Sequence, residues 1–230
     1  MIDAHCHILP SVDDGSQNIF ESEDIISSLT KFGIDKVVCT SHIKGHMGSL
    51  EENKLAFQRV LPIAKHYDIN LVLGHEVNWR NLLEIGFDKV RDYSFGNSDY
   101  FLLELSTTQI PHNWQNIIFN LQGEGLDVII AHPERYAYVQ KDISLVEEMR
   151  NMGCYTMLSS NYILRSWMGG TARKCAKKLL KRNLVDFVCT DAHCLNDYKI
   201  FEKSLTYAEK HGWDRSINDD LLSEIFTNKN

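Results

Sequence analysis

The sequence predicts an α/β fold in which parallel strands and helices alternate around one closed barrel. Short apolar runs alternate with longer amphipathic segments along the chain. Several of these segments end at a glycine, namely Gly33, Gly123 and Gly153, and a strand follows two to four residues later. Seven or eight such units in 230 residues suit a barrel at the short end of the usual size range, with a doubly wound open sheet as the alternative.

Seven short apolar runs are predicted to be strands, and the amphipathic segments between and after them are predicted to be helices. The strands are residues 1–6, 36–41, 70–75, 100–105, 127–131, 154–158 and 185–190. The helices lie near residues 22–32, 50–67, 81–90, 113–122, 145–152, 171–182, 200–211 and 219–226. Nothing in the composition marks a linker, a repeat or a low-complexity segment, so residues 1–230 are predicted to form a single domain.

Composition and charge exclude several classes of protein. The chain has 24 Lys plus Arg against 31 Asp plus Glu, a net charge of −7, and 43% hydrophobic residues, as in a globular protein. Net acidity argues against nucleic acid as a ligand, and the basic segment 173–182 is interpreted as a solvated helix face. No apolar stretch could span a membrane and the N-terminus does not resemble a signal peptide, so we expect a cytoplasmic protein without membrane insertion.

Residues of metal-ligand types follow six of the seven predicted strands. Because the carboxyl ends of the strands meet at one face of a parallel barrel, we expect these side chains to share one funnel. Glu104 lies within an apolar run, where an unpaired carboxylate is rare. Burying so many ionisable groups would be strongly unfavourable unless divalent cations made them ligands. The candidates are His5, His7, Asp13, Asp14, His42, Glu76, Glu104, His132, Asp191 and His193.

This ligand set also predicts the chemistry. Histidine and carboxylate ligands without cysteine suit Mn, Fe or Zn better than Ca or Mg. Two or three such ions would lower the pKa of a bridging water, providing a hydroxide nucleophile and a clamp for phosphoryl oxygens. Arg135, three positions after His132, has a planar fork that can bind two phosphate oxygens and stabilise charge in the transition state. The pattern therefore predicts hydrolytic chemistry.

Six segments of the chain resemble the motifs of a known superfamily. They are Asp3-Ala4-His5-Cys6-His7, Val12-Asp13-Asp14-Gly15, Thr40-Ser41-His42, Gly74-His75-Glu76, Ile130-Ala131-His132-Pro133-Glu134-Arg135-Tyr136 and Thr190-Asp191-Ala192-His193. They are similar to motifs of the PHP (polymerase and histidinol phosphatase) superfamily, in particular its CpsB/CapC-type branch of manganese-dependent bacterial protein-tyrosine phosphatases. The resemblance covers nearly the whole chain and implies the PHP fold, a distorted (β/α)7 TIM-like barrel.

The resemblance also implies the roles of individual residues. One Mn²⁺ ion would bind His5, His7, Glu76 and Asp191, with Glu76 bridging to a second ion at Glu104 and His132. A third ion would bind Asp14, His42 and His193, although the sequence alone does not settle the choice between Asp14 and Asp13. Arg135 matches the phosphate-binding arginine of this branch. A second arginine often follows the last motif, and Tyr198 and Lys199 are the candidates to replace it in substrate binding.

The implied substrate is phosphotyrosine on the tail of a bacterial tyrosine kinase that regulates capsular or exopolysaccharide synthesis. The alternative enzyme is a small-molecule phosphomonoesterase of the histidinol-phosphatase type, which would use the same metals and a different pocket. A third hypothesis is a non-catalytic binding module that keeps the barrel without its metals. Intact candidates at all nine ligand positions argue against this third hypothesis.

Overall fold

The computed structural model describes residues 1–164 and 170–227. Its strands are β1 Ile2–Cys6, β2 Lys36–Cys39, β3 His42–Ile43, β4 Asn70–Leu73, β5 Glu76–Asn78, β6 Tyr100–Glu104, β7 Asp127–Ala131, β8 Tyr155–Ser159 and β9 Phe187–Cys189. Its α-helices are α1 Ile19–Leu29, α2 Leu50–His66, α3 Trp79–Ile85, α4 Trp114–Gly123, α5 Ala137–Lys141, α6 Ser144–Asn151, α7 Ser160–Leu164, α8 Gly170–Lys181, α9 Leu195–Tyr198, α10 Phe201–Glu209 and α11 Arg215–Thr227.

All strand pairs are parallel and form a distorted TIM-like barrel. One sheet has the order β1-β2-β4 and the other the order β3-β5-β6-β7-β8-β9. Seven of the described strands, β1, β2, β4, β6, β7, β8 and β9, overlap the seven predicted ranges, whereas the short strands β3 and β5 begin just beyond the predicted ranges 36–41 and 70–75. Backbone hydrogen bonds also join the end of β1 to the segment after β9: Asp191 N–H donates to His5 O at 2.8 Å and His7 N–H donates to Ala192 O at 2.8 Å.

The distortion of the barrel lies between β4 and β6. These two strands do not pair with each other, and the segment before β6 lies between them. Within this segment, Gly96 N–H donates to Leu73 O at 2.7 Å and Phe95 N–H donates to Tyr100 O at 2.9 Å. The Phe95 side chain is fully buried there. A Cβ on Gly74 would lie 2.5 Å from Phe95 Cδ1, so the break after β4 requires a residue without a side chain.

Alternation along the strands produces two hydrophobic layers. One face of the strands, including Val37, Leu103 and Val128, packs against helices such as α1, α4 and α8. The opposite face, including Leu102, Ile129 and Met157, forms a second cluster with residues of the final helix α11. Among the described residues, no helix combines the length and apolar character needed to cross a membrane.

Candidate active site

The carboxyl ends of the strands bring the predicted ligand residues into one cluster with Glu76 at its centre, buried except at Asp14 and His193. His5 Nε2 and His7 Nε2 lie 3.7 and 3.5 Å from Glu76 Oε2. His42 Nδ1 lies 3.0 Å from the same oxygen. His132 Nε2 lies 2.6 Å from the other oxygen, Oε1. One carboxylate therefore faces four imidazoles contributed by three different strand positions.

Asp191 connects this cluster to Arg135, the predicted phosphate-binding residue. Its Oδ1 atom lies 3.4 Å from His5 Nε2 and 3.5 Å from His7 Nε2. Arg135 donates a hydrogen bond from Nη1 to the other oxygen, Oδ2, at 3.2 Å. The Arg135 side chain is 29% exposed, and its guanidinium lies 5.7 Å from the centre of the Tyr162 ring. The guanidinium can therefore contact both the cluster and a molecule bound above it.

The adjacent carboxylates Asp13 and Asp14 face different partners. Asp14 Oδ1 lies 3.3 Å from His193 Nε2 and 3.6 Å from His42 Nε2. Asp13 Oδ2 instead accepts the backbone N–H of His42 at 2.9 Å and lies 2.8 Å from His7 Nδ1. An ionised carboxylate only accepts hydrogen bonds, so the proton is on Nδ1 of His7. The structure therefore places Asp14 among the candidate ligand atoms and gives Asp13 an orienting role.

Hydrogen bonds behind the first two histidines fix the direction of their rings. Thr40 Oγ1 lies 2.5 Å from His5 Nδ1 and accepts the backbone N–H of Cys6 at 3.0 Å. Asp13 holds His7 in the same way. Such partners on the far nitrogen select the tautomer and orient the ring of a metal-binding histidine. In both residues they leave Nε2 directed at the cluster.

Glu104 lies at one side of the cluster and is held by two side chains. Lys44 Nζ donates to Oε1 at 2.8 Å and Asn78 Nδ2 donates to Oε2 at 2.9 Å. Glu104 is 1% exposed, whereas Lys44 is 36% exposed. This carboxylate therefore has the ammonium group of a lysine as its partner, whereas Glu76 faces imidazoles.

The donor atoms fit divalent cations. The buried atoms that form no hydrogen bond among the described residues include five that face one another in the cluster: His5 Nε2, His7 Nε2, His42 Nδ1, Glu76 Oε2 and Asp191 Oδ1. Leaving such atoms unpaired costs about 1–3 kcal/mol each, whereas metal coordination would satisfy them together. The sets whose ligand atoms lie within 4.8 Å of one another are His7-Asp14-His42-His193, His5-His7-Glu76, His5-His132-Asp191 and His42-Glu76-Glu104.

Burial and neighbouring charges set the protonation of the cluster. Burial lowers the pKa of His5 to about 3, so its imidazole is neutral, as a ligand must be. Burial disfavours the charged form of Glu76, but nearby imidazoles, first that of His42, hold its pKa well below the usual range. For His7, hydrogen bonds to carboxylates, first that of Asp13, outweigh burial and raise the pKa well above its ordinary value. Metal binding at His7 would therefore release a proton.

The family model described as "Capsular polysaccharide synthesis, CpsB/CapC" matches residues 1–227. The chain belongs to the CpsB/CapC family. It is 27% identical over 209 residues to CapC of Staphylococcus aureus, named a putative tyrosine-protein phosphatase, covering 89% of this chain and 82% of CapC. It is 31% identical over 204 residues to the tyrosine-protein phosphatase CpsB of Streptococcus pneumoniae, covering 85% of this chain and 84% of CpsB.

A solved structure supports the fold of this CpsB/CapC-family protein. It belongs to a set described as YwqE from Bacillus subtilis and CpsB from Streptococcus pneumoniae, unique metal-dependent tyrosine phosphatases. The TM-score is 0.80 at 21% sequence identity, and the match covers 98% of this chain and 92% of that chain.

The two candidates for a second phosphate contact lie in different environments in this CpsB/CapC-family protein. Tyr198 is 1% exposed, and its ring stacks on that of Phe32 with centroids 6.0 Å apart. Its burial in the hydrophobic core argues against the predicted substrate contact, because a phosphate could not reach it without displacing α9. Lys199 follows α9 and is exposed, so its contact with substrate stays a prediction.

Three residues at the CpsB/CapC cluster, Thr40, Lys44 and Asn78, have roles that sequence analysis did not assign. Lys44 lies two positions after the ligand candidate His42, and Asn78 lies two positions after Glu76. Side chains two apart on a strand share a face. The spacing of Lys44 from His42 and of Asn78 from Glu76 could therefore have indicated that both side chains face the cluster.

Proposed function

We propose that this CpsB/CapC-family protein is a metal-dependent protein-tyrosine phosphatase. The observation that carries the proposal is the buried cluster in which unpartnered imidazole and carboxylate atoms converge on Glu76, with Arg135 at its edge. The relatives named tyrosine-protein phosphatases support phosphotyrosine as the substrate class. The description of the family supports a place in capsular polysaccharide synthesis.

The proposed metal ligands are nine residues at the strand ends, and two or three ions would share them. Imidazole and carboxylate donors without a thiolate suit Mn²⁺, Fe or Zn, and Mn²⁺ is preferred because the motifs resemble those of manganese-dependent phosphatases. When bound, these ions supply Lewis-acid activation of the phosphoryl group and of the attacking water. The proposed ligands are His5, His7, Asp14, His42, Glu76, Glu104, His132, Asp191 and His193.

Arg135 is the proposed phosphate-binding and catalytic residue. It has five N–H donors, and the hydrogen bond from Nη1 to Asp191 orients the guanidinium without using them all. The remaining donors can bind two phosphoryl oxygens, and the positive charge stabilises the negative charge that develops on them in the transition state. Lys199 is retained as the proposed second phosphate contact.

The proposed physiological substrate is a tyrosine-phosphorylated tail of a bacterial polysaccharide-synthesis kinase, encountered in the cytoplasm. A phosphotyrosine at a chain terminus can enter a recessed cluster without unfolding of the partner. The net charge of −7 supports a protein substrate over nucleic acid.

The proposal is tested by comparing the wild type with His132→Ala after loading with Mn²⁺. The wild type should hydrolyse p-nitrophenyl phosphate and a phosphotyrosyl peptide, with a higher kcat/KM for the peptide than for histidinol phosphate. His132→Ala removes an imidazole that lies 2.6 Å from Glu76, and we expect it to lower kcat/KM on the order of 100-fold or more.

The matched control is His112→Ala, since His112 is exposed and outside the cluster. It should retain wild-type activity. A wild type that leaves both phosphotyrosyl peptides and p-nitrophenyl phosphate intact, with His132→Ala indistinguishable from it, would exclude the proposed function. A higher kcat/KM for histidinol phosphate would instead favour the small-molecule phosphatase.

A further inference from the structure

A polar cleft of about 540 Å³ opens beside the candidate metal ligands. Its walls are the segments that follow β3, β5 and β6, comprising residues 44–46, 78–81 with Glu84, and 104–108. Because these segments follow adjacent strands, the cleft lies on the same face of the barrel as the cluster. We call it the basic cleft after Lys44 and Arg80 in its lining, which also holds the carboxylates of Glu84 and Glu104.

Side-chain hydrogen bonds hold the walls of the basic cleft together. Asn81 Oδ1 accepts the backbone N–H of Gly45 at 2.8 Å, which ties the segment after β3 to helix α3. Asn78 Oδ1 accepts the backbone N–H of Arg80 at 3.1 Å. The Nδ2 atom of Asn78 donates to Glu104 at 2.9 Å. One residue thus caps the helix that carries Arg80 and also contacts a candidate metal ligand.

Within the lining, the guanidinium of Arg80 is the group that favours an acidic ligand. Glu104 is buried and its charge is balanced by Lys44, 2.8 Å away. Exposed Glu84 is the other carboxylate of the lining and offsets the charge of Arg80, but no ion pair joins these two side chains among the described residues. The Arg80 guanidinium lies 5.2 Å from the centre of the Trp79 ring. Stacking on an aromatic face leaves the edge of a guanidinium available for two parallel hydrogen bonds to a carboxylate.

We infer that the basic cleft binds acidic residues that flank the phosphotyrosine of the substrate, with Arg80 as the main contact. The inference rests on the proposed function and specifies its substrate further. Glu104 lines the cleft and also lies within 4.8 Å of ligand atoms of His42 and Glu76. A peptide whose phosphate occupies the cluster can therefore continue directly into the cleft. Hydrolysis of a phosphate without flanking residues would not use these contacts.

The test compares two phosphotyrosyl peptides that are identical except that glutamates flank the phosphotyrosine in one and glutamines in the other. For the Mn²⁺-loaded wild type, kcat/KM should be higher for the glutamate peptide. Arg80→Ala should lower the ratio of the two kcat/KM values about fivefold, as expected for a partly exposed charge-assisted contact. Arg80→Lys should recover part of this preference, because it restores the charge without the planar fork.

Arg59→Ala is the matched control, because Arg59 is exposed on α2 and is not part of the lining. It removes the same charge and should leave the ratio unchanged. An Arg80→Ala protein that is active but keeps the wild-type ratio, or an equal loss in Arg59→Ala, overturns the inference alone. A wild type that is inactive on both peptides and on p-nitrophenyl phosphate overturns the proposed function as well.

Discussion

Asp13 holds two parts of the candidate metal centre together through a single carboxylate. Its Oδ2 atom lies 2.8 Å from His7 Nδ1 and accepts the backbone N–H of His42 at 2.9 Å. Its Oδ1 atom accepts the backbone N–H of Gly15 at 3.0 Å. The two carboxylate oxygens of Asp13 therefore accept hydrogen bonds from three N–H groups. An orienting carboxylate of this kind affects metal affinity without contacting the metal.

Replacing Asp13 by Asn should weaken metal binding. An amide has only one oxygen, so at least one of the three N–H donors loses its acceptor. We expect the affinity for Mn²⁺, measured by calorimetric titration, to fall about 10- to 100-fold, as for other residues that orient metal-binding histidines. Asp24→Asn is the control, because Asp24 is exposed on α1. Equal affinity in the two variants would show that Asp13 does not orient the ligands.

The residue types of the cluster could be predicted from sequence, but their detailed partners could not. His5, Glu76 and Asp191 converge because strand ends converge, and strand ends can be located by hydrophobic pattern. The choice between Asp13 and Asp14 depends on which carboxylate the loop turns toward His193, and both have the same local sequence context. Only the path of the loop distinguishes them.

Among the elements, the alternation of strands and helices was predictable, but the division of two strands was not. The predicted strand 36–41 ends at Cys39, and an interruption at Thr40 and Ser41 separates it from β3. The predicted strand 70–75 ends at Leu73, and an interruption at Gly74 and His75 separates it from β5. Both interruptions lie where pairing changes from the sheet of β1 to the sheet of β6. Phe95 is inserted between β4 and β6, against Gly74 in the second interruption. This is a contact between distant segments, and hydrophobic periodicity does not report it.

The loop between β1 and α1 should not tolerate a side chain at Gly15. A Cβ there would lie 2.0 Å from His7 O and 2.5 Å from His7 Cβ. Gly15→Ala must therefore move the loop that carries Asp14 away from His7. We expect it to lower the free energy of unfolding by about 1–3 kcal/mol, as for other overpacked sites. The measurement is urea denaturation, in which the midpoint should fall.

Gly123→Ala provides the control for this substitution. Gly123 ends helix α4, and a Cβ there would meet no atom within 4 Å. The free energy of unfolding of the Gly123→Ala protein should stay unchanged or rise by up to about 1 kcal/mol, because alanine restricts the conformations of the unfolded chain. If Gly15→Ala were as stable as Gly123→Ala, the loop would not be held tightly against His7.

At the scale of the whole molecule, hydrogen bonds between β1 and the segment after β9 join residues that are far apart in the chain. Asp3 Oδ1 accepts the backbone N–H of Thr190 at 2.8 Å, and Oδ2 accepts its hydroxyl at 2.6 Å. These bonds place His5 beside Asp191, so the cluster exists only in the folded protein. Two or three divalent ions would add four to six positive charges to a chain with a formal charge of −7. The acidity of the sequence is thus largely balanced at the proposed metal centre.

Because the ligands are brought together only by folding, bound metal should stabilise the whole protein. A ligand at 100 times its Kd adds about 2.7 kcal/mol per site, which for 150–250 residues corresponds to about 5–10 °C in Tm. Thermal denaturation followed by circular dichroism should therefore give a higher Tm in Mn²⁺ than in EDTA. Ca²⁺ at the same concentration should have a smaller effect, because it prefers oxygen ligands. An equal Tm in Mn²⁺ and in EDTA would contradict a metal centre formed by these residues.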